Sequence, residues 1–409
     1  MPFEPKPEYR LAQDTISSRD LADLCEWLAT NPWLTQGKIV REFESQFAAK
    51  VNAKHAIFVN SGSSANLLAW FWPIAHEWLN GVPEGMPSIK EHLRVAVPAV
   101  SWATTVMPAM QFGYQPVLCE SDEKTWGIDP ADLRRICESE RGKPSIVALV
   151  HVLGVPCDMA AIAELEKEFK FLLLEDSCAA FGSSPVGSVG EISTYSTYYA
   201  HQFSTVEGGF VTTNDDAAAN LLRMLRAHGW TSDCDAPTKK LLAEQWKIDP
   251  FREKFTFYVP GFNVRGTDLQ AKIGLSQLAR VDAMTATRVA NHALYRAHFT
   301  AGPNAKHFAV QTPPAGSKVA SIGFGVLASS QAHRAKVAEA LLLKGIETRP
   351  ICAGNISRQP FWWRIFGEPQ RERPIADRIH NAGFQLPNHA LLTSDDVAYI
   401  AETVLAVTP

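Results

Sequence analysis

The chain has 409 residues, of which 46% are hydrophobic and 20% are charged, and its formal net charge is -4. This length exceeds that of one typical hydrophobic core and favours two domains. The slightly negative charge offers no electrostatic attraction to nucleic acid or to an anionic membrane, so we expect neither as a partner.

The N-terminal residues lack the basic and then apolar layout of a signal peptide. The most apolar stretch, residues 67–75, is too short to span a bilayer, and we interpret it as a buried helix that is interrupted near Pro73. The seven cysteines are widely spaced and form no metal-binding motif. We therefore expect no metal site, and reduced thiols in a cytoplasmic protein.

Short apolar runs at residues 94–98, 145–151 and 171–174 are typical of buried parallel strands. Residues 158–168 have the spacing of an amphipathic helix. This alternation predicts an α/β domain with a mostly parallel sheet over residues 1–270, including an N-terminal segment. Ligands of such sheets bind beyond the carboxyl ends of the strands.

The pattern changes after about residue 270. Residues 268–296 predict a long helical region, and a strand-like run follows at 321–327. A further helical stretch precedes residues 345–349, and a last helix is predicted over 394–407. We therefore predict a smaller α+β domain over residues 271–409.

A serine- and glycine-rich segment, residues 59–66 (VNSGSSAN), leads into a helical sequence. Its hydroxyls, its backbone N–H groups and the positive end of the helix are the components of a phosphate site. The same residues also suit a plain helix cap, where serine is favoured. Both interpretations stand at this point.

Two further motifs carry groups that suit catalysis. The apolar run at 171–174 is followed by Glu175 and Asp176, which places a carboxylate at the carboxyl edge of the sheet, although a capping aspartate fits as well. The segment 196–209 contains His201 and ends in two glycines. Histidine exchanges a proton near neutral pH, but a lone histidine is more often structural.

In this order, the three motifs resemble those of the DegT/DnrJ/EryC1/StrS family of sugar-modifying enzymes, which use pyridoxal phosphate (PLP). The likeness begins at residues 33–37, includes 98–102 and 261–271, and covers nearly the whole chain. It implies the α/β fold-type-I architecture of PLP-dependent transferases such as aspartate aminotransferase. It also implies a homodimer with shared active sites.

The resemblance assigns cofactor-binding roles to six positions. It implies phosphate ligands at Gly62, Ser63 and Ser196, an aromatic plate on the pyridine ring at Trp102, a partner of the ring nitrogen at Asp176, and a residue that reaches the neighbouring subunit's phosphate at Asn263.

His201 stands where aminotransferases of the family carry the lysine that forms their Schiff base. A smaller branch has histidine there and consists of 3-dehydratases that make 3,6-dideoxysugars. Residues 175–182 and 353–360 also resemble this branch, which makes Asn355 and Arg358 candidate substrate ligands. The chain departs from the family pattern at three places near these motifs: Ala179, Gln202 and Val206.

The resemblance implies a reaction in which glutamate, as amino donor, converts PLP to pyridoxamine phosphate (PMP). A nucleotide-linked 4-keto-6-deoxysugar then loses its C3 hydroxyl, with His201 as acid and base and with Asp176 keeping the ring nitrogen protonated. Two alternatives stay open: a sugar aminotransferase of the same family, and a non-catalytic sugar-binding homologue. The scattered cysteines argue against the iron–sulfur cluster of a related branch member.

Overall fold

The computed structural model describes residues 8–82, 88–89, 93–139, 142–368 and 371–409. Two sheets organise these residues. Their strands, in chain order, are β1 His55–Val59, β2 Arg94–Pro98, β3 Gln115–Cys119, β4 Ile146–Val150, β5 Leu172–Asp176, β6 Ile192–Ser196, β7 Gly209–Thr213, β8 Phe308–Val310, β9 Gly323–Ala328 and β10 Gly383–Pro387.

Helices cover both faces of the larger sheet and surround the smaller one. They are α1 Ser18–Leu28, α2 Lys38–Lys50, α3 Gly62–Asn80, α4 Ala103–Gln111, α5 Pro130–Cys137, α6 Met159–Phe169, α7 Asp216–Arg226, α8 Ala236–Gln245, α9 Asp268–Leu278, α10 Val281–Ala301, α11 Gln331–Leu343, α12 Pro360–Phe366, α13 Pro374–Ala382 and α14 Ser394–Leu405. None of those helices has the length and apolar character that a bilayer crossing requires.

The larger sheet has seven strands in the order β1-β7-β6-β5-β4-β2-β3. Only β7 runs antiparallel to its neighbours, β1 and β6. The smaller sheet is antiparallel, in the order β10-β9-β8. The predicted α/β class and mostly parallel sheet are therefore confirmed.

Local sequence explains where several elements begin. The side chain of Asp158 accepts a hydrogen bond from the Ala161 N–H and caps α6, where the amphipathic pattern predicts a helix. The predicted interruption near Pro73 is wrong, because α3 continues through this residue to Asn80. Proline removes one backbone donor, and burial of the surrounding apolar side chains against the sheet sustains the helix.

The predicted helical region at 268–296 consists of two helices, α9 and α10, separated at residues 279–280. Gly274 of α9 lies against Phe43 of α2, so α9 packs with the larger sheet's helices. The division into domains at residues 270 and 271 stays a prediction. The packing of α9 favours a boundary just after this helix.

An aromatic cluster supports the end of the sheet that carries the candidate site. Phe47 of α2 is fully buried and stacks on Phe210 of β7, with ring centroids 3.7 Å apart. It also contacts Phe181, in the loop after β5, and Phe203, in the loop after β6. The cluster thus fixes two loops that follow strand ends.

We predict that Phe47→Ala lowers the free energy of unfolding by about 3–5 kcal/mol, because it leaves a cavity under both loops. Denaturant titration followed by circular dichroism measures this loss. Phe251→Ala is the matched control, since Phe251 is 90% exposed and should change stability little. Equal losses in the two variants would contradict the role given to the cluster.

Candidate active site

The candidate site lies at the carboxyl edge of the larger sheet. Strand β5 ends at Asp176, β4 ends just before His151, and the chain reaches Trp102 shortly after β2. These strands are parallel, so their carboxyl ends meet at one edge. Three segments that are distant in sequence are thereby brought together.

The carboxylate of Asp176 is buried and held by three donors. Its Oδ2 accepts hydrogen bonds from Asn66 Nδ2 at 2.9 Å and from Thr105 Oγ1 at 2.7 Å. Its Oδ1 accepts one from the Cys178 N–H at 3.1 Å. Thr194 Oγ1 donates to Asn66 Oδ1 at 2.6 Å and so fixes which way the amide points. The anion is thus fixed in one orientation at the end of β5.

The preceding residue, Glu175, forms a second buried site on the opposite side of the strand. It accepts hydrogen bonds from the N–H groups of Gly187, Val189 and Gly190 at 2.5–2.9 Å. His151 Nδ1 accepts from the Cys157 N–H, so Nε2 carries the proton and faces Glu175 at 3.3 Å. Burial acts to raise the pKa of Glu175, but the bonds from His151 and the N–H groups outweigh it and lower that pKa.

The serine-rich turn and the end of β6 meet at the start of α3. Ser61 caps the helix by accepting from the Ser64 N–H at 3.0 Å. A β-carbon at position 62 would lie 2.7 Å from the β-carbon of Ser196, so only glycine allows this approach. Ser63 is exposed, and its Oγ lies 3.4 Å from Thr104 Oγ1. Hydroxyls and the helix N-terminus form the cradle that an anionic phosphate requires.

Trp102 immediately precedes α4 and is 59% exposed. A tryptophan is usually much more buried, and its exposed indole offers a flat apolar surface. Trp102 stands two residues before Thr104, whose hydroxyl lies near Ser63, and three residues before Thr105, which bonds Asp176. The start of α4 therefore connects the exposed indole, the serine-rich turn and the buried carboxylate.

His201 lies in the loop between β6 and β7. Its N–H donates to the Tyr198 carbonyl at 2.9 Å, and its carbonyl accepts from Arg288 at 3.2 Å. Burial, together with the positive charges of Arg288 and Arg349, lowers the pKa of the imidazole to about 4. Its Nδ1 is buried and has no hydrogen-bond partner among the described residues. A neutral imidazole with an unused ring nitrogen is suited to accept a proton.

Two of the departures from the family pattern lie in the same loop. Gln202 is buried, and its Nε2 donates to the carbonyls of Ala179 at 2.6 Å and Ala320 at 3.1 Å. It therefore ties the His201 loop to the loop after Asp176. Val206 is 53% exposed at a φ of +69°, a conformation that strains a β-branched residue, and nothing in the structure explains this valine.

The remaining predicted residues, Asn263, Asn355 and Arg358, lie around this site and differ in exposure and in hydrogen bonding. Asn263 is exposed. It lies beside the serine-rich turn, because the Asn60 N–H of that turn donates to the carbonyl of the next residue, Val264. The segment with Asn355 runs beside Val100 and so approaches Trp102. The amide of Asn355 is buried and bonded to Ser357 and Asp377. Arg358 is half-exposed and also bonds Asp377, at 2.9 Å.

Sequence reasoning missed several residues of the site. Asn66 lies within the serine-rich motif, one helical turn after Gly62, and its position could have indicated an inward-facing amide. Thr105, Arg288 and Arg349 carried no comparable signal. Arg349 is exposed, lies in the C-terminal part of the chain, and is close enough to His201 to affect its pKa.

The chain belongs to the DegT/DnrJ/EryC1/StrS aminotransferase family, whose sequence pattern matches residues 15–405. It is 30% identical over 398 residues to GDP-4-keto-6-deoxy-D-mannose 3-dehydratase of Yersinia pseudotuberculosis, an alignment that covers 95% of this chain and 96% of the relative.

Two solved structures are similar over nearly the whole chain. One is the Escherichia coli GDP-4-keto-6-deoxy-D-mannose 3-dehydratase with bound hydrated PLP, with a TM-score of 0.84, 26% identity, and coverage of 98% of this chain and 100% of that one. The other is a GDP-4-keto-6-deoxymannose 3-dehydratase with a trapped PLP-glutamate geminal diamine, with a TM-score of 0.82, 27% identity, and coverage of 97% and 100%. The predicted fold-type-I architecture is confirmed.

We predict that Glu175→Gln lowers the free energy of unfolding by about 1–3 kcal/mol at pH 7, because an amide –NH₂ would face backbone donors. The folded pKa of Glu175 is lowered. Its contribution is therefore complete above the unfolded pKa of about 4.3 and is lost as pH falls through the folded value.

Denaturant titrations at pH 7 and at successively lower pH test this. The gap between wild type and Glu175→Gln should shrink towards acid pH, while Glu402→Gln, on the exposed side of α14, should match wild type throughout. A gap that widens on acidification would exclude an ionised Glu175.

Proposed function

We propose that this chain is a PLP-dependent enzyme that removes the C3 hydroxyl of a nucleotide-linked 4-keto-6-deoxysugar. The observation that carries the proposal is a neutral imidazole, His201, at the position of the family's Schiff-base lysine. GDP-4-keto-6-deoxymannose is the first substrate to test, because similar proteins are named for acting on it. Glutamate is the proposed amino donor, since a similar structure contains a PLP-glutamate adduct.

The residues at the sheet edge fit the cofactor's chemical groups. The fixed anion of Asp176 is suited to a protonated pyridine nitrogen, and the indole of Trp102 to the ring face. The cradle of Gly62, Ser63 and Ser196 is suited to the phosphate. When bound, the cofactor supplies an electron sink and, after amino transfer from glutamate, an amine that condenses with the sugar ketone.

His201 has the properties that a proton-transfer group needs here. Its low pKa keeps the imidazole neutral at pH 7, so it is ready to accept the proton from the cofactor's C4′ carbon. The resulting imidazolium then holds a proton that it delivers to the C3 hydroxyl, which departs as water. Gln202 and Arg288 bond the loop on either side of the ring and keep it in place.

The histidine also weakens the aminotransferase alternative. A lysine amine forms an imine with an aldehyde, whereas an imidazole forms no stable one. Transamination as the net reaction would leave the C3 hydroxyl in place and nitrogen on the sugar. Dehydration followed by hydrolysis releases ammonia and a 3-deoxy-4-keto sugar, so product mass separates the two.

We further propose a cytoplasmic homodimer with shared active sites. Asn263 is exposed beside the serine-rich turn, from which its amide would reach the partner's cofactor phosphate. The seven cysteines are free thiols, which suits a reducing compartment. Asn355 bonds internal groups, so we assign it to shaping the wall beside Trp102 and give Arg358, which is half-exposed, the direct substrate contact.

We expect the purified enzyme, given PLP, glutamate and GDP-4-keto-6-deoxymannose, to release ammonia and a product whose mass reflects loss of the C3 oxygen. His201→Asn should lower this rate by roughly 10²–10⁴-fold, because the proton acceptor is lost. It should retain PLP binding, measured by absorbance after gel filtration. His307→Asn, in the short turn before β8, is the control with unchanged rate.

Turnover of His201→Asn within a few-fold of wild type would remove the proposed role of the imidazole. A product that keeps the C3 hydroxyl and gains nitrogen would favour the aminotransferase instead. Absence of any reaction across GDP-, CDP-, dTDP- and UDP-linked 4-keto-6-deoxysugars would favour the non-catalytic homologue.

We predict that the charge of Arg349 affects the pH dependence of kcat/KM. Because this positive charge helps to lower the pKa of His201, Arg349→Gln should raise that pKa and move the acidic limb of kcat/KM to higher pH. Initial rates from about pH 3.5 to 8, with circular dichroism at each pH to verify folding, measure the shift. Arg364→Gln, which changes an exposed arginine on α12, should leave the acidic limb unchanged. An identical limb in wild type and both variants would contradict the effect assigned to Arg349.

A further inference from the structure

A second cavity lies away from the candidate active site, between α10 and the loop that precedes β9. Its volume is about 360 Å³. Its walls combine apolar side chains, such as Val289, Ala293 and Val319, with the basic residues Arg296 and Lys318. None of the described residues that line it is an aspartate or glutamate. The cavity therefore has an apolar wall, and the charged residues that line it are both basic.

The most buried polar residue that lines this cavity is His292, which is 4% exposed. Its Nδ1 lies 2.9 Å from Ser321 Oγ. Asn388 Nδ2 donates to the same Oγ at 2.8 Å, and the Ser321 O–H has no acceptor other than His292 Nδ1 among the described residues. The arrangement that satisfies this hydroxyl directs its proton to Nδ1 and places the imidazole proton on Nε2.

That Nε2–H is a buried donor to which the described part of the chain offers no acceptor. It makes no hydrogen bond with any described residue, and the hydroxyl of Ser317, which also lines the cavity, is in the same condition. Burial, with the nearby charge of Arg296, lowers the pKa of His292 to about 3, so the ring stays neutral. A buried polar group without a partner is destabilising and marks a place where a partner is expected.

The two cations are also available to a ligand. Lys318 is exposed and Arg296 half-buried, and neither forms an ion pair with a described residue. The loop that carries Lys318 is anchored, because the backbones of Lys318 and Ser184 exchange hydrogen bonds at 2.9 and 3.0 Å. The backbone hydrogen bonds thus fix the position of Lys318 beside the cavity.

We propose that this cavity is a binding site for a small organic anion, separate from the candidate active site. Its carboxylate or phosphate group accepts from His292 Nε2–H and Ser317 and pairs with Arg296 and Lys318, while its carbon body contacts the apolar wall. The neutral donor suits an anion and excludes a cation, which would face the N–H and two positive charges.

Isothermal titration of the PLP-loaded enzyme, after gel filtration has removed unbound PLP that could itself enter the site, tests the proposal with inorganic phosphate and with butyrate as separate probes. The affected variant is Arg296→Gln/Lys318→Gln. The control is Lys306→Gln/Arg364→Gln, which makes the same charge change at exposed sites elsewhere. We expect at least tenfold weaker binding in the affected variant only.

Binding of phosphate alone would identify a phosphate ligand, and binding of butyrate would identify a carboxylate with an apolar body. Binding that is equally weak in wild type, variant and control would show adventitious ion binding only and overturn the proposal. Failure of both probes to bind wild type would overturn it as well. The measurement needs no turnover, so its outcome is independent of the proposed dehydration.

Discussion

The buried carboxylate of Asp176 is the interaction on which the rest of the site depends. A charge taken out of water is tolerated only where donors surround it, and here Asn66, Thr105 and the Cys178 N–H provide them. These donors belong to α3, α4 and the loop after β5. Satisfying one anion therefore fixes the two helices whose first turns present the phosphate cradle and Trp102.

The loop with His201 is held by the part of the chain that follows α9. Arg288 of α10 bonds the His201 carbonyl and also the carbonyls of Ser321 and Asn388. Gln202 adds a bond to the Ala320 carbonyl. The C-terminal elements thus act as a second support for the loop with His201, and Ser321 connects this support to His292 in the cavity beside α10.

Sequence patterns predicted those features that depend on neighbours along the chain. The run 94–98 agrees with β2, and the capped start of α6 follows from Asp158, because continuous apolar runs and caps are local signals. The prediction failed at Pro73, where burial on the sheet outweighs one lost hydrogen bond. Arg349 was missed because tertiary folding alone brings it to His201.

The surroundings of His201 show how a weak base can still suit this reaction. Burial and two arginines lower its pKa to about 4, which reduces its affinity for a proton. A weaker base makes a stronger conjugate acid, and this acid must hand its proton to a poor leaving group, the C3 hydroxyl. The same positive charges favour the approach of anions such as the proposed substrate and amino donor. A lysine in this field would become more nucleophilic and form an imine with the cofactor, so an imidazole is the group that keeps proton transfer without covalent capture.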